Sequence, residues 1–192
     1  MSSESDSERR AFATQTLSFW RGSAQGAHQD SAYVNYSLPM QFLASWIALE
    51  DVSPDSGELF YYVGSHRMPE FLYIDRFKGV EEAGRLNPGF NLQPQIRHHV
   101  QRIPIVAAEM KLPARQFLAK RGDILIWSAD LAHGGSPIST TTTRKSVVTH
   151  YTTAEAVPSY FELHPGKVRA SYRGDSYSSA HYDFQPREAH RI

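Results

Sequence analysis

Residues 122–151 read "GDILIWSADLAHGGSPISTTTTRKSVVTHY", and this stretch sets the fold class. "GDILIW" is a short apolar run opened by a glycine, the composition of a strand. "AHGGSP" reads as a turn, punctuated by two glycines and a proline. "RKSVVTHY" alternates, so Arg144, Ser146, Val148 and His150 share one face of an extended chain. The same grammar runs outward toward the N-terminus. Strand-like sequence extends from "TLSFWRGS" to "AYVNY" (16–36), and "FLASWIALEDV" (42–52) follows as a second run. "SPDSG" (53–57) is a turn by composition and "ELFYYVGSH" (58–66) a third strand, so 43–66 reads as a hairpin. Helix is expected only in short insertions around "GVEEAGRL" (79–86) and "PARQFLAK" (113–120). Short strands divided by turns imply a mainly β chain, a sandwich or barrel of the jelly-roll kind.

Composition narrows the function classes. At 192 residues the chain suits a single domain over 1–192, with a disordered polar start at 1–10 and a C-terminal extension at 158–192 that lacks strong periodicity. Twenty basic side chains balance twenty acidic ones, so there is no electrostatic reason to expect nucleic acid or an anionic membrane as partner. The opening "MSSESDSERR" lacks the apolar core of a secretory signal, and no run is long enough to span a bilayer. The expected location is the cytoplasm. Without cysteine there is no disulfide framework, thiolate nucleophile or zinc–thiolate site.

The candidate chemistry starts in "GAHQDSAYV" (26–34), where His28 and Asp30 would project to one side of a strand. The H-x-D pair is not distinctive alone. "HYD" at 181–183 repeats it in a polar tail with no distant third ligand to complete a site. What singles out the first pair is its company. A facial triad for non-haem iron needs two imidazoles and one carboxylate, with the remaining positions open. His133 suits the third place, since Gly134 and Gly135 let the backbone pass close by. Arg144 and Ser146, on one face of the following strand, form a fork suited to a carboxylate, and a buried guanidinium without an anion would be costly.

With these residues in view, "GSAQGAHQDSAYV", "ASWIALEDVSPDSGELFYYVGSHR" and "KRGDILIWSADLAHGGSPI…TRKSVVTHY" resemble the phytanoyl-CoA dioxygenase family of Fe(II)/2-oxoglutarate-dependent oxygenases, in particular its bacterial members. The likeness runs from about residue 17 to 157. It implies a double-stranded β-helix of the jelly-roll, cupin-like kind, with Fe(II), 2-oxoglutarate and O2 as cofactor and cosubstrates. It implies His28, Asp30 and His133 as metal ligands and Arg144 as the partner of the far carboxylate of 2-oxoglutarate. Gln29 and Trp46 match positions that line the cosubstrate pocket in similar enzymes, and Ser146 stands beside Arg144 in the same role. The retained carboxylate of Asp30 implies hydroxylation, since halogenating relatives carry a small residue there. Two departures stand out. Only 27 residues precede His28, so the chain reads as a minimal version, or as one whose exposed sheet edge is covered by the C-terminal tail or by another subunit of a homo-oligomer. Val63 stands where the family more often has proline, a turn variation.

The other histidines read as structural. His66 is a substitute ligand should His133 not serve, His150 belongs to the alternating strand, and the adjacent His98 and His99 in "RHHV" read as solvated loop residues. The substrate-shaping segment is expected between "GSH" and "GDILIW", 67–121. Its aromatic "MPEFLYIDRF" and cationic "RHHVQR" suit a small molecule, an anion or acyl derivative. Two rival classes use similar residues: a cupin-like metal protein without 2-oxoglutarate, against which the inward Arg144 argues, and a jelly-roll binding module that would tolerate loss of His28.

Overall fold

The computed structural model describes residues 11–34, 41–153, 156, 170–172 and 175–177. Among these residues, ten strands are laid out in two sheets. Strands β1 (Ala11–Phe19), β3 (Phe42–Ala48), β6 (Ile124–Ser128), β8 (Ser146–Thr153), β9 (Ala170–Tyr172) and β10 (Asp175–Tyr177) form the larger, in the order β6-β3-β8-β1-β10-β9. Strands β2 (Gln25–His28), β4 (Leu59–Tyr62), β5 (Ala114–Phe117) and β7 (His133–Gly135) form the smaller, in the order β2-β7-β4-β5. Neighbouring strands run antiparallel except β1 and β10, which are parallel. This is the jelly-roll arrangement expected from the run of short strands.

Alternation decides which side chains enter the core. Along β3, Phe42, Ala44, Trp46 and Ala48 are buried while Leu43 between them is exposed. Trp46 and Trp127 fill the space between the sheets, against the small Ala44, Ala48 and Ala119 and beside Val52 and Leu59. Pairing large with small side chains lets the two layers interdigitate, and each large apolar side chain buried this way contributes about 1.5–3 kcal/mol. Helix α2 (Gln93–Glu109) covers the outer side of the smaller sheet, packing Ile103, Val106 and Ala107 on Ala27, Met68 and Ala132. A third cluster gathers Ala32, Tyr73, Phe77 and Ala83, the last from helix α1 (Val80–Leu86). No helix among the described residues is long and apolar enough to cross a membrane.

Several local readings are corrected. The stretch 43–66 is not a hairpin, because β3 and β4 lie in different sheets and the "SPDSG" turn carries the chain across the core. "PARQFLAK" holds strand β5 paired with β4, not a helix. "AHGGSP" contains strand β7, whose two glycines permit a close approach and not merely a turn. "RHHV" lies inside α2, so His99 is buried with 1% of its surface exposed. The expected helix in "GVEEAGRL" is α1. The C-terminal extension supplies β9 and β10, and β10 takes the side of β1 that β8 leaves open. Residues 1–10 and the second H-x-D at 181–183 lie outside the described residues.

Candidate metal centre

His28 closes β2 and His133 opens β7, and the two face each other across the antiparallel register. The glycines after His133 make that approach possible. A Cβ at Gly134 would sit 2.6 Å from the Gln25 carbonyl oxygen and 2.8 Å from the Phe60 ring, and one at Gly135 would overlap the Ser23 carbonyl. Any side chain there pushes β7 off β2. Asp30 is not on the strand. It begins a 3-10 turn, Asp30–Ala32, that follows β2, so the extended-chain reasoning for the pair is wrong in detail although the two residues do converge.

Each donor is held by a partner behind it. His28 Nδ1 lies 3.0 Å from the Gly26 carbonyl and His133 Nδ1 lies 2.9 Å from the Leu131 carbonyl. A carbonyl only accepts, so both Nδ1 atoms carry the proton and both Nε2 atoms present lone pairs in the neutral ring. The indole Nε1–H of Trp127 donates to Asp30 Oδ2 over 3.1 Å, which turns Oδ1 toward the histidines. His28 Nε2 and His133 Nε2 each stand 3.7 Å from that oxygen, and the three donor atoms lie within 4.8 Å of one another. These gaps exceed a hydrogen bond and suit atoms that share one cation. Burial, with His133 adding to it, pushes the His28 imidazole below its ordinary value, and Asp30 opposes that shift. A neutral imidazole is the form that binds metal.

A cavity of about 270 Å³ opens over this cluster. Arg144 lines it with 3% of its surface exposed, donating one guanidinium N–H to the Gly57 carbonyl while its Nε has no partner among the described residues. Its guanidinium carbon lies 5.6 Å from the Trp46 ring and 6.0 Å from the Phe19 ring. Burial lowers the Arg144 pKa, and the nearby Glu58 carboxylate offsets part of that. Trp46 also lines the cavity, and its indole N–H is buried without an acceptor among the described residues. An unmade hydrogen bond of this kind costs about 1–3 kcal/mol. The orphaned donors fit an anionic ligand with acceptor oxygens.

Two expected residues do not reach the cavity. The Gln29 amide turns away to donate to the Asp130 carbonyl at 2.7 Å. Ser146 is fully buried on β8 outside the cavity wall, and its hydroxyl has no partner among the described residues. His66 sits exposed on a 3-10 turn, Ser65–Arg67. His150, read as structural, lines the cavity, as do Gln15, Gln25 and Tyr33. The alternation of Gln15, Leu17 and Phe19 along β1 was a usable signal for these, since it marks one face. Nothing local marks Trp127 as the partner of a carboxylate 97 positions away.

Behind the centre, Asp130 ties the two ligand-bearing segments together. It accepts from the Ser31 hydroxyl at 2.5 Å and pairs with Lys78 at 3.1 Å, while Ser31 N–H donates to the Ala129 carbonyl.

The family model described as Phytanoyl-CoA dioxygenase (PhyH) matches residues 10–146. No curated protein matches the sequence. Among solved structures, the non-heme alpha ketoglutarate dependent epimerase SnoN from nogalamycin biosynthesis is similar at 19% identity and a TM-score of 0.53, covering 77% of this chain and 51% of its own. The carbocyclase SnoK from the same biosynthesis has the same identity and TM-score, covering 77% and 53%. EctD from S. alaskensis with bound Fe is 18% identical with a TM-score of 0.50, covering 76% and 46%. The chain spans about half the length of these structures, and at such identities the likeness is one of fold.

Proposed function

Because the chain belongs to the phytanoyl-CoA dioxygenase family, we propose that it is a non-haem Fe(II)- and 2-oxoglutarate-dependent oxygenase hydroxylating an unactivated C–H bond of a small organic molecule. The observation that carries this reading is the convergence of two imidazole lone pairs on one carboxylate oxygen at 3.7 Å each, with a buried guanidinium in the same cavity wall. Iron held by His28, Asp30 and His133, with its cosubstrates, supplies the oxidation: R–H, O2 and 2-oxoglutarate become R–OH, succinate and CO2.

The chain's own residues bind, orient and exclude water. The Gly26 and Leu131 carbonyls fix the tautomer of both histidines, and Trp127 fixes the carboxylate. Arg144 takes the far carboxylate of 2-oxoglutarate by a charge-assisted fork, and the orphaned Trp46 N–H offers a further donor to the same ligand. Phe19, Leu59 and Val148 keep that end of the cavity apolar, which strengthens the ion pair by excluding water. The carboxylate of Asp30 supports hydroxylation as the outcome.

The test is an anaerobic Fe(II) titration with and without 2-oxoglutarate, followed by the charge-transfer absorption of the bidentate chelate. The expected result is a band that forms with both and is lost in His133→Ala. Iron binding without a band would point to a cupin-like metal protein instead. Product analysis then separates hydroxylation from an epimerising or ring-closing outcome.

A further inference from the structure

The inner faces of β1 and β8 build the cavity in rungs. Gln15 is opposite His150, Leu17 opposite Val148, and Phe19 opposite Ser146. At about 3.3 Å per residue, the Gln15–His150 rung stands about 13 Å along the strands from the Phe19 end. The Phe19 end belongs to Arg144, whose guanidinium lies over that ring and over Trp46. The other end is polar and uncommitted. Neither Gln15 nor His150 makes a side-chain hydrogen bond among the described residues, although both line the cavity. The His150 ring is fixed by edge-on contact with Phe42 at 5.0 Å, so its nitrogens are held in place without a partner among the described residues.

Charge decides what this end can take. Apart from imidazoles, the charged side chains in the cavity wall are Asp30 and Arg144. The first belongs to the metal cluster and the second to the cosubstrate carboxylate. The cations of "RHHVQR" do not enter the wall, and Arg102 is engaged with the Pro69 carbonyl. Among the described residues, an anionic or acyl substrate therefore finds no cation at the polar end. At about 270 Å³ the cavity lies at the small end of ligand sites, and the cosubstrate takes part of it.

Resting on the oxygenase reading above, we propose that Gln15 and His150 are the specificity-determining pair for the prime substrate, which presents an uncharged hydroxyl- or carbonyl-bearing portion to them. An amide and an imidazole each offer both donor and acceptor, so they match a neutral polyhydroxylated ring and leave a bare hydrocarbon chain with unpaired polar groups.

The experiment uses the anaerobic Fe(II)–2-oxoglutarate complex of the full chain, titrated with two panels while the visible spectrum is followed. One panel holds neutral polyols and glycosides (myo-inositol, methyl α-glucoside, methyl β-galactoside). The other holds butanoate, decanoate and butyryl-CoA. The expected result is a spectral shift with at least one neutral probe at millimolar concentration and none with the acyl panel. Gln15→Leu, which keeps side-chain volume, should weaken that response at least 10-fold, and His150→Phe likewise. The inference is overturned if no neutral probe shifts the spectrum, if the acyl panel binds as well, or if Gln15→Leu responds like the parent. Failure of the 2-oxoglutarate band itself, before any probe is added, would instead bring down the oxygenase reading and this inference with it.

Discussion

Trp127→Phe removes one hydrogen bond at the centre and trims one core ring, and both effects can be worked out in advance. The indole N–H donates to Asp30 Oδ2 over 3.1 Å in a buried setting. A hydrogen bond to a charged group of this kind is worth about 1.5–3 kcal/mol. Removing a partner that orients a ligating carboxylate commonly costs roughly 10–100-fold in metal affinity, which is about 1.4–2.7 kcal/mol. The two routes agree. Phenylalanine also lacks roughly three buried ring atoms, worth about 2 kcal/mol at some 0.8 each, and loses part of the tilted ring contact with His133 at 4.8 Å. The hydrogen bond exists without metal, so its loss and the packing loss both lower the stability of the metal-free protein, whereas Fe(II) affinity reads the misplaced carboxylate alone. Thermal unfolding without metal should drop by the packing and hydrogen-bond shares together. Anaerobic calorimetric titration with Fe(II) should show affinity reduced 10–100-fold. An iron affinity within about threefold of the parent, with an unchanged 2-oxoglutarate band, would refute the idea that Trp127 holds the carboxylate in register.

Arg144→Gln should weaken 2-oxoglutarate at least 30-fold, the equivalent of about 2 kcal/mol for truncating one side of a buried charge pair, while Fe(II) alone still binds; equilibrium dialysis with labelled 2-oxoglutarate reads both. Gly135→Ala should destabilise the fold by at least about 1–3 kcal/mol through overpacking, because its Cβ meets the Ser23 carbonyl, whereas a Cβ at Gly122 meets nothing within 4 Å. At Gly122 only the left-handed backbone (φ 93°) resists substitution, so Gly122→Asn should be tolerated in the same denaturant titration. His99 is held down to about 4 by burial, with Arg102 adding to it, from an ordinary value of 6.5. The folded state then refuses a proton that the unfolded chain accepts, so stability is full above pH 6.5 and falls as pH drops toward 4, by up to about 3 kcal/mol. His99→Phe should flatten that part of the pH–stability curve.

The periodic parts of the chain were legible because burial writes itself into alternation. Strands β3 and β6 each carry one face into the core, and residue type, chain order and the family resemblance together singled out His28, Asp30, His133 and Arg144, all of which line one cavity. Helix α2 was hidden by Pro104 inside it and by a polar run across "RHHVQR". Its apolar spacing at Ile96, Val100, Ile103 and Ala107 was nonetheless helical. The hairpin at 43–66 failed for another reason. Turn composition records that a chain reverses, not whether it returns to the same sheet or crosses to the facing one. Gln29 failed because the strand ends one residue before it, and the 3-10 turn hands its amide to the Asp130 carbonyl.

The proposed ligands stand at 28 and 30 on one side and at 133 on the other, on two short strands and the turn that follows the first, and the contact between those strands depends on glycines. A bound ion in that place is a clasp across most of the chain's contour. It closes a loop longer than any local turn could, and at a free concentration one hundred times its dissociation constant it would add about 2.7 kcal/mol to folding. That is a large part of a small domain's margin. Iron scarcity would then act on this protein through its lifetime as well as its turnover, since the empty form opens more often to proteases.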